Sequence, residues 1–187
     1  MNATGGAAGN ARLTGWTGLV LLVLLAAEGV TVPFVRPLLT AHVFIGVLLI
    51  PPVALKLGST GYRFARYYTG HPDYVAAGPP VPVLRVIGPV VVVTSVLLLA
   101  SGVALIVAGS RHGALLAIHK LSFILWFVVM TIHVLGHVVR APTLVLADTR
   151  GSPVGGLRWR AGLVTASLVT GTVAAAYAAS HLGAWYR

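Results

Sequence analysis

The sequence predicts an all-α integral membrane protein, built as a bundle of five transmembrane helices. Of its 187 residues, 57% are hydrophobic and only 9% are charged, and the mean hydropathy is +0.93. A soluble domain of this length needs a far more polar surface. Five apolar runs are each long enough to cross a bilayer. We expect one domain over residues 1–187, and the absence of cysteine excludes disulfides, iron–sulfur clusters and thiolate metal sites.

The predicted spans follow from the apolar runs and from the residues that interrupt them. Residues 1–13 are mostly small or polar and are expected to be disordered. Pro33 ends the first run, and basic loops separate the later runs. The first run is long for a signal peptide, although the sequence leaves its cleavage open. The five predicted spans cover residues 14–32, 37–57, 84–108, 114–139 and 161–182.

The distribution of positive charge predicts the orientation in the membrane. Thirteen basic residues stand against three acidic ones, which gives a formal charge of +10. With five spans, nine basic residues fall on the side of the N-terminus and four on the other side. Because positively charged loops stay in the cytoplasm, we expect a cytoplasmic N-terminus and an external C-terminus in the cell membrane. No nucleic-acid-binding motif accompanies this charge, so the partner that it predicts is the lipid bilayer.

Four histidines lie within the second and fourth predicted spans, where imidazole gains nothing from lipid. His42 is about five residues into the second span and His119 about five residues into the fourth. These two spans run in the same direction, so both rings lie at the same depth and can clamp one planar metal cofactor. His133 and His137 follow His119 by 14 and 18 residues. At about 1.5 Å of rise per residue, they lie at least 21 Å further along nearly the same face. One stripe of the fourth span therefore carries imidazole near both membrane surfaces, as two stacked haems would require.

The His-x13-His spacing in the fourth span, with a single histidine early in the second, resembles the bacterial cytochrome b561 group. This group includes the cytochrome b subunits of formate dehydrogenases and nickel–iron hydrogenases, and the resemblance covers roughly residues 14–140. It implies a four-helix haem-binding core plus one further helix, with His42 and His119 as ligands of an outer haem b. His133 matches a ligand of an inner haem, whose other ligand in the family is a histidine near the start of the first span. Here that stretch reads NARLTGWTGLV and contains no histidine.

One haem b is therefore expected, and a second depends on a partner for His133. His133 and His137 project from the same side of one helix and cannot bind opposite faces of one haem. The only other imidazole on that side is His71, so a second haem has His71 and His133 as ligands, is five-coordinate, or is absent. At the outer end, Arg36 and Arg111 are candidates to pair with haem propionates, although ordinary loop charge explains them equally well.

The resemblance implies a membrane b-type cytochrome that transfers electrons between the quinone pool and a redox partner. Such a protein is an electron-transfer subunit rather than a stand-alone enzyme, and its expected partner is an oxidoreductase subunit on the outer face. Glu28, the only carboxylate within a predicted span, is either a proton acceptor for quinol oxidation or a snorkelling interfacial residue.

Two other functions remain open at this stage. The pair His133 and His137, four residues apart on one helix, suits Zn²⁺ or Cu²⁺ and is compatible with metal-ion binding or transport. The chain is also compatible with a non-catalytic membrane anchor subunit. HExxH and any Ser/His/Asp set are absent from the sequence, so we do not expect a hydrolase.

Overall fold

The computed structural model describes residues 5–79, 82–109, 113–150 and 154–182, and these residues form helices and turns without any β-strand. Five of the helices are long and apolar enough to cross a membrane, and the first of them continues to Phe34 through a 3-10 turn. The predicted all-α fold with five spans is confirmed, and the chain has the architecture of a multi-pass membrane protein. The helices are α1 (Gly6–Thr31), α2 (Leu39–Tyr68), α3 (Pro72–Ala76), α4 (Pro82–Ala108), α5 (Gly113–His137), α6 (Arg140–Thr149) and α7 (Leu157–Ser180).

The five long helices form two groups. Helix α2 packs along α7 and α1, whereas α4 packs along α5 as a hairpin. The groups meet where α2 touches α4 and in an apolar cluster of Leu39, Val43, Leu105 and Leu182. Helices α2 and α5 make few direct backbone contacts, and α5 contains no fully buried residue. At one end Leu115 and Leu116 of α5 pack against the cluster of Leu39 and Val43. We call the region between α2 and α5 the gap.

The structure differs from the predicted boundaries mainly at the polar ends of the spans. Residues 6–13, predicted to be disordered, form the first turns of α1. They are helical because they pack on distant parts of the chain, where the Asn10 side-chain amide donates to the Ser59 carbonyl at 3.0 Å. Helix α2 continues to Tyr68 instead of ending at residue 57. Both predicted basic loops contain short helices, α3 and α6.

One buried carboxylate, Asp148 on α6, ties three helices together. Its side chain is 1% exposed, and both of its oxygens accept hydrogen bonds from Arg160 at the beginning of α7. On α1, Arg12 Nη1 donates to Oδ1 at 2.9 Å and Trp16 Nε1 to Oδ2 at 3.0 Å. Burial alone raises the pKa of the Asp148 carboxyl, but the hydrogen bonds from Arg160, Arg12 and Trp16 outweigh burial and hold that pKa below its ordinary value. Asp148 is therefore a charged anchor that fixes α6 against α1 and α7.

We expect Asp148→Asn to destabilise this end of the bundle strongly. Arg160 is 1% exposed, and removing one partner of a buried ion pair costs about 3–5 kcal/mol because it leaves the other charge uncompensated. Thermal unfolding in detergent measures the effect, with Asp73→Asn on the exposed surface of α3 as the matched control. An Asp148→Asn protein that unfolds at the wild-type temperature would contradict this role.

The same network predicts a pH dependence of stability. The folded-state pKa of Asp148 is lowered, so its contribution to stability is complete above the unfolded-state pKa. It is lost as the pH falls through the folded-state pKa. We therefore expect the difference in unfolding temperature between wild type and Asp148→Asn to shrink on acidification. A constant difference down to the acid limit would show that Asp148 does not titrate as this network requires.

Candidate functional site

His42 lies at the beginning of α2, and α1 holds one edge of its ring. Nδ1 is 2.9 Å from Glu28 Oε1 and 2.8 Å from Thr31 Oγ1. The Thr31 hydroxyl donates its own proton to the Glu28 carbonyl oxygen at 2.6 Å, so its oxygen is left to accept from the ring. With two acceptors at Nδ1, that nitrogen is the donor of the ring. Nε2 lies on the side of the ring away from these contacts, and it is the lone-pair nitrogen of the neutral imidazole.

His119 is held in the same way on α5, in this case by α4. Its Nδ1 is 3.0 Å from Ser101 Oγ, whose hydroxyl already donates to the Leu98 carbonyl at 2.9 Å. Ser101 can therefore accept from Nδ1–H, and in the neutral ring Nε2 is then the nitrogen with the lone pair. The ring lies so close to α4 that a Cβ at Gly102 would be 3.3 Å from His119 Cε1. Glycine at this position allows the imidazole to approach the α4 backbone.

The two rings form a matched pair across the gap between α2 and α5. They lie within electrostatic range of each other, and the His119 ring also interacts with the Leu98 carbonyl of α4. The side chains of His42 and Glu28 are only 22% and 15% exposed. The structure thus brings together the two histidines for which the sequence predicts equal depth.

A second group of nitrogen-bearing side chains lies further along the same gap. The rings of His133 and His137 are in edge contact, with centroids 4.6 Å apart and an interplanar angle of 78°. His133 Nδ1 is buried without a hydrogen-bond partner among the described residues. Lys56 on α2 lies within electrostatic range of both rings, and its Nζ donates to the Thr14 carbonyl at 2.6 Å.

The remaining candidates lie elsewhere or outside the described chain. Arg36 is exposed in the connection between α1 and α2, at the same end as His42. Arg111 lies outside the residues that the structure describes. His71 precedes α3 and packs edge-on against Tyr74, with ring centroids 5.5 Å apart. The groups that act electrostatically on His133 are His137 and Lys56, and His71 is not among them.

Several residues of this site were not predicted as parts of it. Thr31 and Ser101 orient the histidines and Gly102 makes room for one of them, although all three look like ordinary small residues of an apolar span. Glu28 faces His42 and is mostly buried, so it is not a snorkelling residue. The sequence feature that could have identified these residues is a polar group inside an apolar span, because such a group needs a partner within the protein.

Over the described ranges, no group of three or more His, Cys, Asp or Glu side chains could hold a metal ion. The arrangement instead offers two single, well-oriented imidazoles from different helices. Comparison with protein-family models, curated proteins and solved structures gives no significant match to this chain. The functional argument therefore depends on the geometry of the two histidines and their supports.

Cysteine pairs test the pairing of α2 with α5 directly, because the native chain contains no cysteine. We expect a short bismaleimide to cross-link His42→Cys with His119→Cys in membranes, since the two side chains lie at one level. The matched control is His42→Cys with His133→Cys, whose second site is displaced by about 21 Å along α5. Mass spectrometry of the cross-linked peptides measures both. Equal cross-linking of the two pairs would contradict the observed register.

Proposed function

We propose that this protein is a membrane b-type cytochrome, in which His42 and His119 would hold the iron of a haem b. The observation that carries this proposal is that both imidazole rings are held through Nδ1. Each Nδ1 is bound to a partner on the neighbouring helix, Glu28 and Thr31 for one ring and Ser101 for the other. In the neutral ring each Nε2 then carries the lone pair that an iron ligand requires.

The surroundings of the two rings also fit a haem. The two rings come from different helices that make few direct backbone contacts with each other, and α5 has no fully buried residue. Both features support a cofactor held between the two rings. When bound, a haem supplies reversible one-electron chemistry. The residues of the chain hold the imidazoles in orientation, keep water away and, through Glu28, increase the basicity of the His42 ligand.

An electron carrier needs a donor and an acceptor, which supports the membrane quinone pool and a redox partner protein as partners. The excess of positive charge supports a cytoplasmic location for the end of the bundle that contains Asp148, with the chain in the cell membrane. His42 and His119 then lie near the outer surface. An oxidoreductase subunit docked on that surface is the expected partner, with Arg36 among the exposed cations beside it. In this arrangement the protein acts as an electron-transfer subunit.

The two alternative functions are less well supported. Metal-ion binding or transport through His133 and His137 requires further ligands, and the described residues provide no third His, Cys, Asp or Glu there. A non-catalytic anchor would not need two histidines with fixed tautomers inside its spans. Buried polar groups in a membrane are costly and usually mark a functional site.

Visible spectroscopy of the protein purified in detergent from haem-replete cells tests the proposal. We expect a b-type spectrum in the oxidised and reduced forms. The pyridine haemochrome assay should show one haem fewer per polypeptide in both His42→Ala and His119→Ala. His181→Ala is the control, because this exposed ring binds the Tyr177 carbonyl of its own helix and its loss should leave the spectrum unchanged. A colourless wild-type protein would overturn the proposal.

Replacing the carboxylate behind His42 should change the cofactor without removing it. Glu28→Gln keeps the side-chain shape but substitutes a neutral acceptor for a charged one. Loss of such a supporting partner lowers metal affinity by about 10–100-fold. We also expect a more positive reduction potential, because a less basic ligand stabilises ferric iron less.

Redox titration and haem loss to apomyoglobin measure the two effects of Glu28→Gln. Ser101→Ala provides the comparison, since it removes a neutral partner from the opposite ligand and should shift the potential less. If Glu28→Gln matched wild type in both potential and haem retention, Glu28 would not act through His42.

A further inference from the structure

Helices α2 and α5 carry nitrogen-bearing side chains at the same spacing. Lys56 follows His42 by 14 residues, and His133 follows His119 by 14 residues. Helices α2 and α5 are the second and fourth spans of the bundle, so they run in the same direction. On each helix, 14 residues correspond to about 21 Å of rise and a rotation of about 40° from a whole number of turns. By spacing, Lys56 therefore corresponds to His133 as His42 corresponds to His119, with Pro51 and Pro52 lying between the two α2 residues.

The contacts of Lys56 agree with this register. Lys56 lies within electrostatic range of His133 and His137, which places it at their level across the gap. Its Nζ rests against α1, where it donates to the Thr14 carbonyl at 2.6 Å and would be 3.2 Å from a Cβ at Gly18. His133 Nδ1 is buried and makes no hydrogen bond within the described residues.

No carboxylate is available to neutralise Lys56. The chain contains three acidic residues: Glu28 pairs with His42, Asp148 pairs with Arg12 and Arg160, and Asp73 is exposed on α3. An ammonium group inside a membrane-spanning helix without a counterion is a costly buried charge. A neutral amine avoids that cost and has a lone pair, so it can act as a metal ligand.

We propose that Lys56 and His133 would hold the iron of a second haem b, between α2 and α5 and on the cytoplasmic side of the first. This inference rests on the proposed function and supplies the partner of His133 that the sequence leaves open. His137 projects from the same side of α5 as His133 and therefore cannot take the place opposite it. The chain then carries one redox centre in each half of the membrane, with two imidazoles at one level and one amine and one imidazole at the other.

Haem stoichiometry and the spectrum of the second centre test this assignment. Wild type should contain two haems per polypeptide, and near-infrared magnetic circular dichroism of the ferric protein should show two different low-spin charge-transfer bands. Lys56→Arg keeps the positive charge but offers no ligand, because guanidinium remains protonated. We expect Lys56→Arg and His133→Ala to retain one haem each, with the band of the His42–His119 haem unchanged.

Two further variants complete the experiment. Lys120→Arg changes the only other lysine of the chain, which is exposed on α5, and should retain both haems. His137→Ala should also retain both haems. Retention of the first haem in every variant shows that the bundle is folded.

Each contrary result has a distinct meaning. One haem per wild-type polypeptide, or a Lys56→Arg protein with two haems and unchanged bands, overturns the Lys56–His133 site while the His42–His119 haem stands. Two identical bis-imidazole bands in wild type also overturn it. Absence of any haem overturns the proposed function itself.

Discussion

The constraint on which the rest of the structure depends is the absence of water inside the spans. A polar group there must find its partner within the protein or remain costly. Trp126 on α5 shows the ordinary solution, because its Nε1 donates to Ser95 Oγ on α4 at 2.9 Å. Glu28 with His42 and Ser101 with His119 follow the same rule between α1 and α2 and between α4 and α5. These pairs satisfy one nitrogen of each imidazole and leave the other for a ligand.

Two groups of contacts at opposite ends of the bundle hold its helices together. At the cytoplasmic end in our proposal, Asp148 holds α6 against α1 and α7 with hydrogen bonds from Arg12, Trp16 and Arg160. At the opposite end, the apolar cluster around Leu39 joins α2 to α4 and α7. Leu115 and Leu116 of α5 also pack against this cluster, so α5 is attached to α2 at that end. Along the rest of their length, α2 and α5 make few direct backbone contacts.

The fold class and the depth of the histidines are predictable from sequence because both depend on local information. Apolar runs define the five spans, and counting residues along parallel helices places His42 level with His119. Contacts between distant segments are not predictable in this way. Arg12 and Asp148 are 136 positions apart, and their bond is part of the reason that residues 6–13 and α6 are helical. Lys56 illustrates the same limit, because a span drawn to end at residue 57 makes it an ordinary loop cation. Only the continuation of α2 to Tyr68 and the electrostatic contact with His133 show it to be a half-buried group within the helix.

Electron paramagnetic resonance of the oxidised, purified protein at low temperature tests the clamp between His42 and His119 most directly. Two strong nitrogen ligands on opposite faces of the iron predict a low-spin ferric signal, which is lost or converted to high spin when either histidine is replaced by alanine. High-spin haem iron alone in the wild-type protein, or a low-spin signal that survives both substitutions unchanged, would contradict ligation by this pair.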